Sequence, residues 1–296
     1  MSNTKSFLLR DSKVKHIHTY FDKKGELIKP LQELLINFSD KERKYFAGMA
    51  DGDGCFRSKN KNKTIAFILE LREDASEPIS ALAEIFDGTV RKKFNFKSKN
   101  TKPSLVLELF GIKAFLFSLC VYPYLLEKKN LVKEIILNSK INKKIKFNFN
   151  KEMDKRKFSF EYLAGYTDAE GSIQMSLRHQ KGWKGKITSG YKFRYALTSN
   201  DHEHLSFIKN NLLKMGYSFR KDYVDDYKNR KNSSIRKPTK YIYLKGGPEE
   251  HLKLYEKILP FCKIQNKIEK MKDTLNYVMV NFPVNRRIVD TIREME

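Results

Sequence analysis

The chain contains few cysteines, which excludes a fold held together by disulfide bonds. Only three occur among the 296 residues, at Cys55, Cys120 and Cys262. They are scattered and odd in number, and none has the close spacing of a zinc-binding pair, so we expect a reducing, intracellular setting. The six histidines form no metal-binding pattern in the sequence either.

Long apolar stretches are also missing. The longest run, Ala114 to Leu126, contains Pro123 and is too short for a membrane span, which needs about 20 residues. This run predicts a core helix instead. The N-terminus has no apolar stretch of signal-peptide length, so we expect a protein that is not secreted and has no membrane partner. The abundance of Lys, Asn, Ile and Phe indicates an AT-rich genome, compatible with an organelle (mitochondrion or chloroplast) or the bacterial cytoplasm.

Acidic residues are outnumbered by basic ones. The 35 Asp and Glu residues stand against 59 Lys and Arg, which gives a formal net charge of +24. Such an excess indicates a polyanionic partner, either nucleic acid or an anionic membrane surface, and the charge alone cannot distinguish them. The 40% of hydrophobic residues suffices for a packed core, and the length allows one large domain or two ordinary ones.

An internal repeat favours two homologous halves. Residues 45–56 read YFAGMADGDGCF, and residues 162–173 read YLAGYTDAEGSI. The identical pairs are Tyr45/Tyr162, Ala47/Ala164, Gly48/Gly165, Asp51/Asp168 and Gly54/Gly171. We therefore predict an N-terminal extension at residues 1–38, a first module at 39–137, a Lys- and Asn-rich linker at 138–157, and a second module at 158–296.

Each repeated block predicts a helix that ends at a glycine and continues as a strand. Ser39 and Glu42 have the spacing of a helix N-terminal capping box. Residues 172–178 alternate between polar and apolar, which is typical of a strand with one buried face. Further strands are predicted at 64–71, 89–96, 104–110, 191–198, 217–224 and 240–244, and helices at 76–86, 111–119, 128–138, 202–214, 249–257 and 264–278. The fold class is therefore α+β, with the order helix, strand, strand, helix, strand, strand, helix, helix in each half.

Small residues on the two repeated helices favour close packing of one helix on the other. Gly48 and Gly52 stand one helical turn apart, as do Gly165 and Ala169. If the helices pack on each other, their C-terminal ends bring the acidic residues of the two blocks into one neighbourhood.

Acidic groups at the negative end of a helix repel one another unless a cation compensates them. The acids concerned are Asp51, Asp53, Asp168 and Glu170. Oxygen ligands of this kind suit Mg²⁺, Mn²⁺ or Ca²⁺, and carboxylates with a metal against a phosphate backbone are the ingredients of metal-assisted phosphodiester hydrolysis.

The two blocks resemble the motifs of the LAGLIDADG homing endonucleases, in the monomeric form that carries two copies. The copies run from Phe46 to Gly54 and from Leu163 to Gly171, and the resemblance covers roughly residues 40 to 280. It implies two αββαββα modules related by a pseudo-twofold axis. The motif helices would form the interface between them, and the antiparallel sheets would form a saddle over DNA.

The resemblance also implies site residues. Asp53 and Glu170 would bind the metal, together with the preceding residues Gly52 and Ala169, while Asp51 and Asp168 would support them. A basic residue near the scissile phosphate would be Lys128 in the first half. The matching position in the second half is Gln265, with Lys263 two residues earlier, so the halves differ here. A polar residue that positions the attacking water would fall near Glu73 and Ser199.

Basic loops and polar strand positions predict the DNA contacts. The second half is longer between its motif and Pro260, and we expect the extra residues in two long loops, His179 to Gly190 and Asp225 to Pro238. Phosphate contacts are predicted for Arg57, Lys59, Lys61, Arg91, Lys92, Lys184, Arg230 and Arg236. Base contacts in the major groove are predicted for Gln174, Ser176, Arg178, Lys192 and Arg194.

The resulting hypothesis is a monomeric, site-specific endonuclease that cuts double-stranded DNA. Its target would be an imperfect palindrome of roughly 20 base pairs. Mg²⁺ would be the cofactor, with Mn²⁺ able to substitute and Ca²⁺ binding without supporting cleavage, and the resemblance implies short 3′ overhangs. Two alternatives stay open: an RNA-binding maturase that acts on its own group I intron, and a DNA-binding regulator without catalysis. The acids retained in both motifs favour the nuclease.

Overall fold

The computed structural model describes residues 38–59, 64–94, 102–145, 149, 157–181, 187–225 and 238–281. Its contacts group into two compact units, Met1–Gly165 and Tyr166–Glu296. This division falls inside the second motif helix, whereas the sequence placed the start of the second module just before that helix. The predicted module boundaries remain a prediction.

The first unit contains the first motif helix and a four-stranded antiparallel sheet. In chain order its elements are α1 (Asp40–Gly52), β1 (Gly54–Lys59), β2 (Thr64–Arg72), α2 (Glu77–Phe86), β3 (Thr89–Lys93), β4 (Ser104–Phe110), α3 (Ile112–Val121), α4 (Lys129–Asn138) and α5 (Lys140–Ile145). Short 3₁₀ turns cover Glu73–Ala75 and Tyr122–Tyr124. The strand order in the sheet is β1-β2-β4-β3.

The second motif helix and the second unit repeat this order. The elements are α6 (Phe160–Glu170), β5 (Gly171–Lys181), β6 (Ile187–Ser199), α7 (His202–Lys214), β7 (Tyr223–Asp225), β8 (Thr239–Tyr243), α8 (Pro248–Ile258) and α9 (Gln265–Asn281), with a 3₁₀ turn at Leu259–Phe261. The sheet is again antiparallel, in the order β5-β6-β8-β7. The predicted α+β class and the order of elements in each half are confirmed.

Alternation along the strands places the core on one face of each sheet. In the first sheet Phe56 pairs with Phe67, which pairs with Leu109, and all three are buried. The Phe117 ring of α3 lies 4.3 Å from the Phe67 ring between centroids. This helix covers most of the predicted apolar run, and its residues Ala114 to Val121 are buried, as a core helix requires. Among the described residues, we find no helix with the length and apolar character of a membrane span.

Several predicted elements differ from the structure. The strand predicted at 89–96 ends at Lys93, and the one predicted at 217–224 is reduced to β7 and an isolated bridge between Phe219 and Leu244. The predicted linker contains a short helix, α5. The Ser139 hydroxyl accepts a hydrogen bond from the Asn142 N–H at 3.0 Å, which caps the first turn of this helix.

Candidate active site and nucleic-acid interface

The first motif helix is fixed at both ends by its own sequence. At its start, the predicted capping box is present: Ser39 accepts from the Glu42 N–H, and the Glu42 carboxylate accepts from the Ser39 N–H. At its end, the Asp53 N–H donates to the Met49 carbonyl at 3.0 Å. A Cβ on Gly54 would lie 2.6 Å from the Ala50 carbonyl oxygen, so only glycine lets the chain pass directly into β1. Asp53 therefore stands, exposed, at the junction of helix and strand.

Lys128 lies against the end of this helix. Its Nζ donates to the carbonyl oxygens of Ala50 at 2.9 Å, Gly52 at 3.0 Å and Gly54 at 2.7 Å. An ammonium group has three N–H donors, and the carbonyls at a helix C-terminus lack partners within the helix. The lysine thus places a positive charge at the negative end of the helix dipole. Two of the carbonyls that it binds, those of Gly52 and Gly54, flank Asp53 in the chain.

Asp51 holds Lys128 in place. Its buried carboxylate accepts from the backbone N–H groups of Leu126 at 2.7 Å, Glu127 at 3.1 Å and Lys128 at 2.8 Å. It also accepts from the Tyr162 hydroxyl at 2.7 Å. The carboxylate therefore caps the chain that leads into α4 and fixes the backbone from which Lys128 extends.

The start of the second motif helix packs closely on α1. Residues up to Gly165 belong to the first unit, and a Cβ on Gly165 would lie 1.8 Å from the Tyr45 carbonyl oxygen. This close approach is what the small residues of the two helices predict. At the other end of α6, a Cβ on Gly171 would lie 2.4 Å from the Thr167 carbonyl oxygen, so this helix also needs a glycine to pass directly into β5.

The second unit builds the end of its motif helix from equivalent parts. The Asp168 carboxylate is buried and accepts from the backbone N–H groups of Lys263 at 2.7 Å and Ile264 at 3.2 Å. Burial and this neighbouring carboxylate raise the pKa of the Cys262 thiol well above its usual value. The ammonium on the helix end belongs to Lys267, whose Nζ donates to the carbonyls of Thr167 at 2.6 Å and Asp168 at 2.5 Å.

Lys267 was not predicted when the two halves of the sequence were matched to each other. The predicted residue Lys263 is bound to Asp168 through its backbone N–H, and the side chain of Gln265 is exposed and donates to Glu269 at 3.2 Å. Lys267 lies two residues beyond the position that matches Lys128 by distance from the proline. One feature of the sequence could have indicated Lys267. It lies in the first turn of α9, the helix that follows Pro260, and Lys128 directly precedes α4, the corresponding helix of the first unit.

The carboxylate of Glu170 has a partner that the sequence did not identify. The Thr198 hydroxyl donates to Glu170 Oε2 at 3.0 Å and lies 3.3 Å from the Glu170 carbonyl oxygen. The predicted neighbour Ser199 points the other way: it is buried, and its hydroxyl accepts from the Asp201 N–H. In the first unit the corresponding candidate, Glu73, forms an ion pair with Lys92 at 2.6 Å.

Comparison with known proteins finds a family similarity in the second half of the chain. Residues 163–244 match the family model described as LAGLIDADG endonuclease. The part of the chain from the second motif helix to the end of the second sheet is therefore similar to this family. No curated protein matches the sequence of this chain.

Solved structures share the LAGLIDADG fold of this chain at low identity. The meganuclease I-AabMI bound to uncleaved DNA is 14% identical, with a TM-score of 0.51 over 85% of this chain and 96% of that one. I-SmaMI bound to uncleaveable DNA with a TTCT central four is 15% identical, with a TM-score of 0.52 over 86% and 97%. A double lysine-to-alanine mutant of I-SmaMI gives 0.52 at 15% identity, over 85% and 96%. At such identity, the similarity establishes a shared fold.

Polar residues of the second LAGLIDADG sheet lie together on one face. Gln174 pairs with Arg194 across β5 and β6, and Ser176 pairs with Lys192. Gln174, Ser176 and Lys192 are exposed, whereas their strand neighbours Ile173, Phe193 and Tyr195 are buried on the opposite face. Arg194 is half-buried, with its guanidinium 4.8 Å from the centre of the Tyr243 ring.

The first LAGLIDADG sheet separates two residues predicted together. Arg57 and Arg91 are exposed on the face opposite the core. Lys92, the next residue after Arg91, points to the other face because neighbours in a strand alternate. The predicted residues Lys61, Lys184, Arg230 and Arg236 lie outside the described residues, as do the side chains of Lys59 and Arg178.

Proposed function

We propose that this chain is a site-specific DNA endonuclease that hydrolyses phosphodiesters with the help of a divalent metal. The observation that carries the proposal is a repeated arrangement. In each half a motif helix ends in an acid, Asp53 or Glu170, and a lysine ammonium lies on the carbonyls of that same helix end. A structural helix end needs a cap, and it has no need of an additional acid at its negative pole.

The donor atoms fit a hard divalent cation. Among the described residues, no three His, Cys, Asp or Glu side chains come together, which argues against a cage of side chains. Mg²⁺ is usually held by one or two carboxylates, with water and substrate phosphate completing its shell. Asp53 with the Gly52 carbonyl, and Glu170 with the Ala169 carbonyl, offer oxygen ligands of this kind. Lys128 uses one lone pair of the Gly52 oxygen, and a carbonyl has two.

The other residues of the two sites position the chain segments around the acids and neutralise negative charge. Asp51 and Asp168 fix the chain segments that lead to Lys128 and Lys267. These lysines add positive potential at the helix ends that carry the acids, where negative charge develops during hydrolysis of a phosphodiester. The bound metal would supply the activation of water and the stabilisation of the leaving oxygen.

The charge and the sheet faces support a long duplex as the substrate. A net charge of +24 suits a polyanion, and each sheet offers an exposed polar face opposite its core. I-AabMI and I-SmaMI, which share the fold, have been solved bound to DNA. We propose an imperfectly palindromic target of roughly 20 base pairs read by a monomer, with short 3′ overhangs after cleavage. Mg²⁺ is the proposed metal, and an organelle or a bacterium is the proposed setting.

The test separates binding from cutting. Duplexes bound from a randomised library in Ca²⁺ are enriched, sequenced and then transferred to Mg²⁺ or Mn²⁺. We expect double-strand cleavage of the enriched site by the wild type. The double variant Asp53→Asn, Glu170→Gln should select the same site and leave it uncut, since it lacks both metal carboxylates and keeps the sheet faces.

The alternatives predict other outcomes of this experiment when structured intron RNA is tested as a second ligand. Sequence-selective binding without cleavage in either metal would indicate a regulator. Absence of any selected duplex, with binding to structured intron RNA, would indicate the maturase. Either result would overturn the proposed function.

A further inference from the structure

The exposed face of the first sheet carries two carboxylates, which is unexpected on a surface proposed to bind DNA. The pairing of the strands places Glu70, Glu108 and Arg91 on the same face as Arg57, opposite the buried Phe67 and Leu109. A carboxylate that faces phosphate raises the free energy of binding by repulsion. The presence of Glu70 and Glu108 on this face therefore requires an explanation.

Each acid is paired with a basic residue on the edge strand β3. The Arg91 guanidinium lies 3.1 Å from Glu108 Oε1. Lys93 Nζ lies 2.9 Å from Glu70 Oε2, and the Ser104 hydroxyl donates to the same carboxylate at 2.7 Å. The hydrogen bond from Lys93 lowers the pKa of Glu70, so this acid is ionised. Exposed ion pairs contribute little to stability, so folding alone gives a weak reason for two such pairs on one face.

The two side chains of the Arg91–Glu108 ion pair differ in solvent exposure. The Glu108 side chain is 15% exposed, whereas that of Arg91 is 57% exposed. The acid thus lies beneath, and the guanidinium projects from the face. The Arg91 guanidinium has five N–H donors in a rigid fork, and Glu108 accepts from only part of them. The remaining donors are available for a further partner.

We propose that Arg91, oriented by Glu108, is a specificity-determining residue that reads a guanine in the half-site bound by the first unit. A guanidinium fork matches the O6 and N7 acceptors of guanine in the major groove. Glu108 weakens the electrostatic attraction between this face and phosphate. It also restricts the long, flexible side chain of Arg91 to one direction. The inference rests on the proposed function, and it replaces the phosphate contact expected for Arg91 from its basic surroundings.

The experiment compares base preferences in four proteins. The enriched sites of the wild type, Arg91→Lys, Arg91→Ala and Glu108→Gln are sequenced, and affinities are measured at two salt concentrations. We expect one position at which the wild type prefers guanine, and a loss of that preference of about 10- to 100-fold in both Arg91 variants. Arg91→Lys keeps the charge and loses the fork, so it separates base reading from phosphate attraction. Glu108→Gln should weaken the same preference and no other.

Two outcomes would overturn the inference and leave the proposed function intact. In the first, Arg91→Ala lowers the affinity for all duplexes equally and reduces the salt dependence, as loss of a phosphate contact does. In the second, Glu108→Gln raises the affinity for all duplexes equally, which would mean that the acid only repels phosphate. If the wild type selects no duplex at all, the proposed function and this inference fail together.

Discussion

Lys267 and Lys128 approach their motif helices from different positions in the sequence, yet each ammonium binds the last carbonyls of its helix. We expect Lys267→Met to reduce the cleavage rate by about 100- to 1000-fold, as loss of a group that stabilises developing charge does. Gln265→Ala is the matched control, since the Gln265 side chain is exposed and donates to Glu269. A cleavage assay at saturating Mg²⁺ compares the cleavage rates of the two variants. Equal losses in both would contradict the special role of Lys267.

Thr198 acts on Glu170 through a hydrogen bond of 3.0 Å, so we regard it as a positioning residue. Groups that orient a metal ligand typically contribute about 10- to 100-fold to metal affinity. We expect a loss of this size in the affinity for Ca²⁺ in Thr198→Val, measured by calorimetry on the uncleaved complex with DNA, and recovery in Thr198→Ser. Unchanged Ca²⁺ affinity in the valine variant would contradict this role.

The sequence predicted Asp53 and Glu170 as metal ligands and missed the partners Lys267 and Thr198, for reasons that lie in the geometry. The motif acids follow directly from local pattern, since each lies at a glycine-terminated helix end. The partner on the strand depends on register: Gly171 pairs with Leu197, so Thr198 comes to lie beside Glu170. An alignment that is off by one residue selects Ser199, which the alternation of the strand sends into the core.

At the scale of elements, the turn from helix to strand depends on a glycine in each motif. A Cβ on Gly54 would meet the backbone of Ala50, and one on Gly171 would meet the backbone of Thr167. We expect Gly54→Ala to lower the free energy of unfolding by about 1–3 kcal/mol, because backbone atoms cannot give way as a side chain does. Gly190→Ala is the control, since nothing lies within 4 Å of a Cβ there. Denaturant melts of the two variants measure the difference, and equal midpoints would refute the clash.

Elements with strong local signals were predicted well, and those fixed by tertiary contacts were not. The strand Ser104–Phe110 and the helix His202–Lys214 have the predicted bounds, because alternation and a 3.6-residue period are visible in the sequence. β7 is shorter than predicted because the continuous ladder with β8 covers Tyr223 to Asp225. The bridge at Phe219 and the hydrogen bond from the Arg220 N–H to the Tyr243 carbonyl stay isolated from this ladder. Helix α5 was predicted as linker, since its Lys-rich sequence has no apolar face and its cap at Ser139 is a single hydrogen bond.

For the whole molecule, labelling of the cysteines tests the proposal that the exposed face of the first sheet contacts DNA. Cys55 is exposed and lies on the same face of β1 as Arg57, whereas Cys120 and Cys262 are buried. Burial raises the pKa of the Cys120 thiol to about 12 and that of Cys262 well above its usual range, so both thiols stay protonated and unreactive at neutral pH. We expect iodoacetamide to label Cys55 alone in the free protein, and the selected duplex to protect it. Equal labelling with and without DNA would exclude this face from the interface.

The net charge of +24 has opposite consequences for the free protein and its complex. In the free protein, like charges repel, and salt screens this repulsion more than it weakens the exposed ion pairs, whose individual contributions are small. In the complex, DNA neutralises the charge, and binding releases counterions, so added salt favours dissociation. We therefore expect the melting temperature of the free protein to rise, and that of the complex to fall, between about 50 mM and about 200 mM NaCl. The Asp53→Asn, Glu170→Gln variant should follow both trends, since its two substitutions remove the proposed metal ligands and leave the basic surface intact. A complex whose stability is independent of salt would mean that phosphate contacts do not dominate binding.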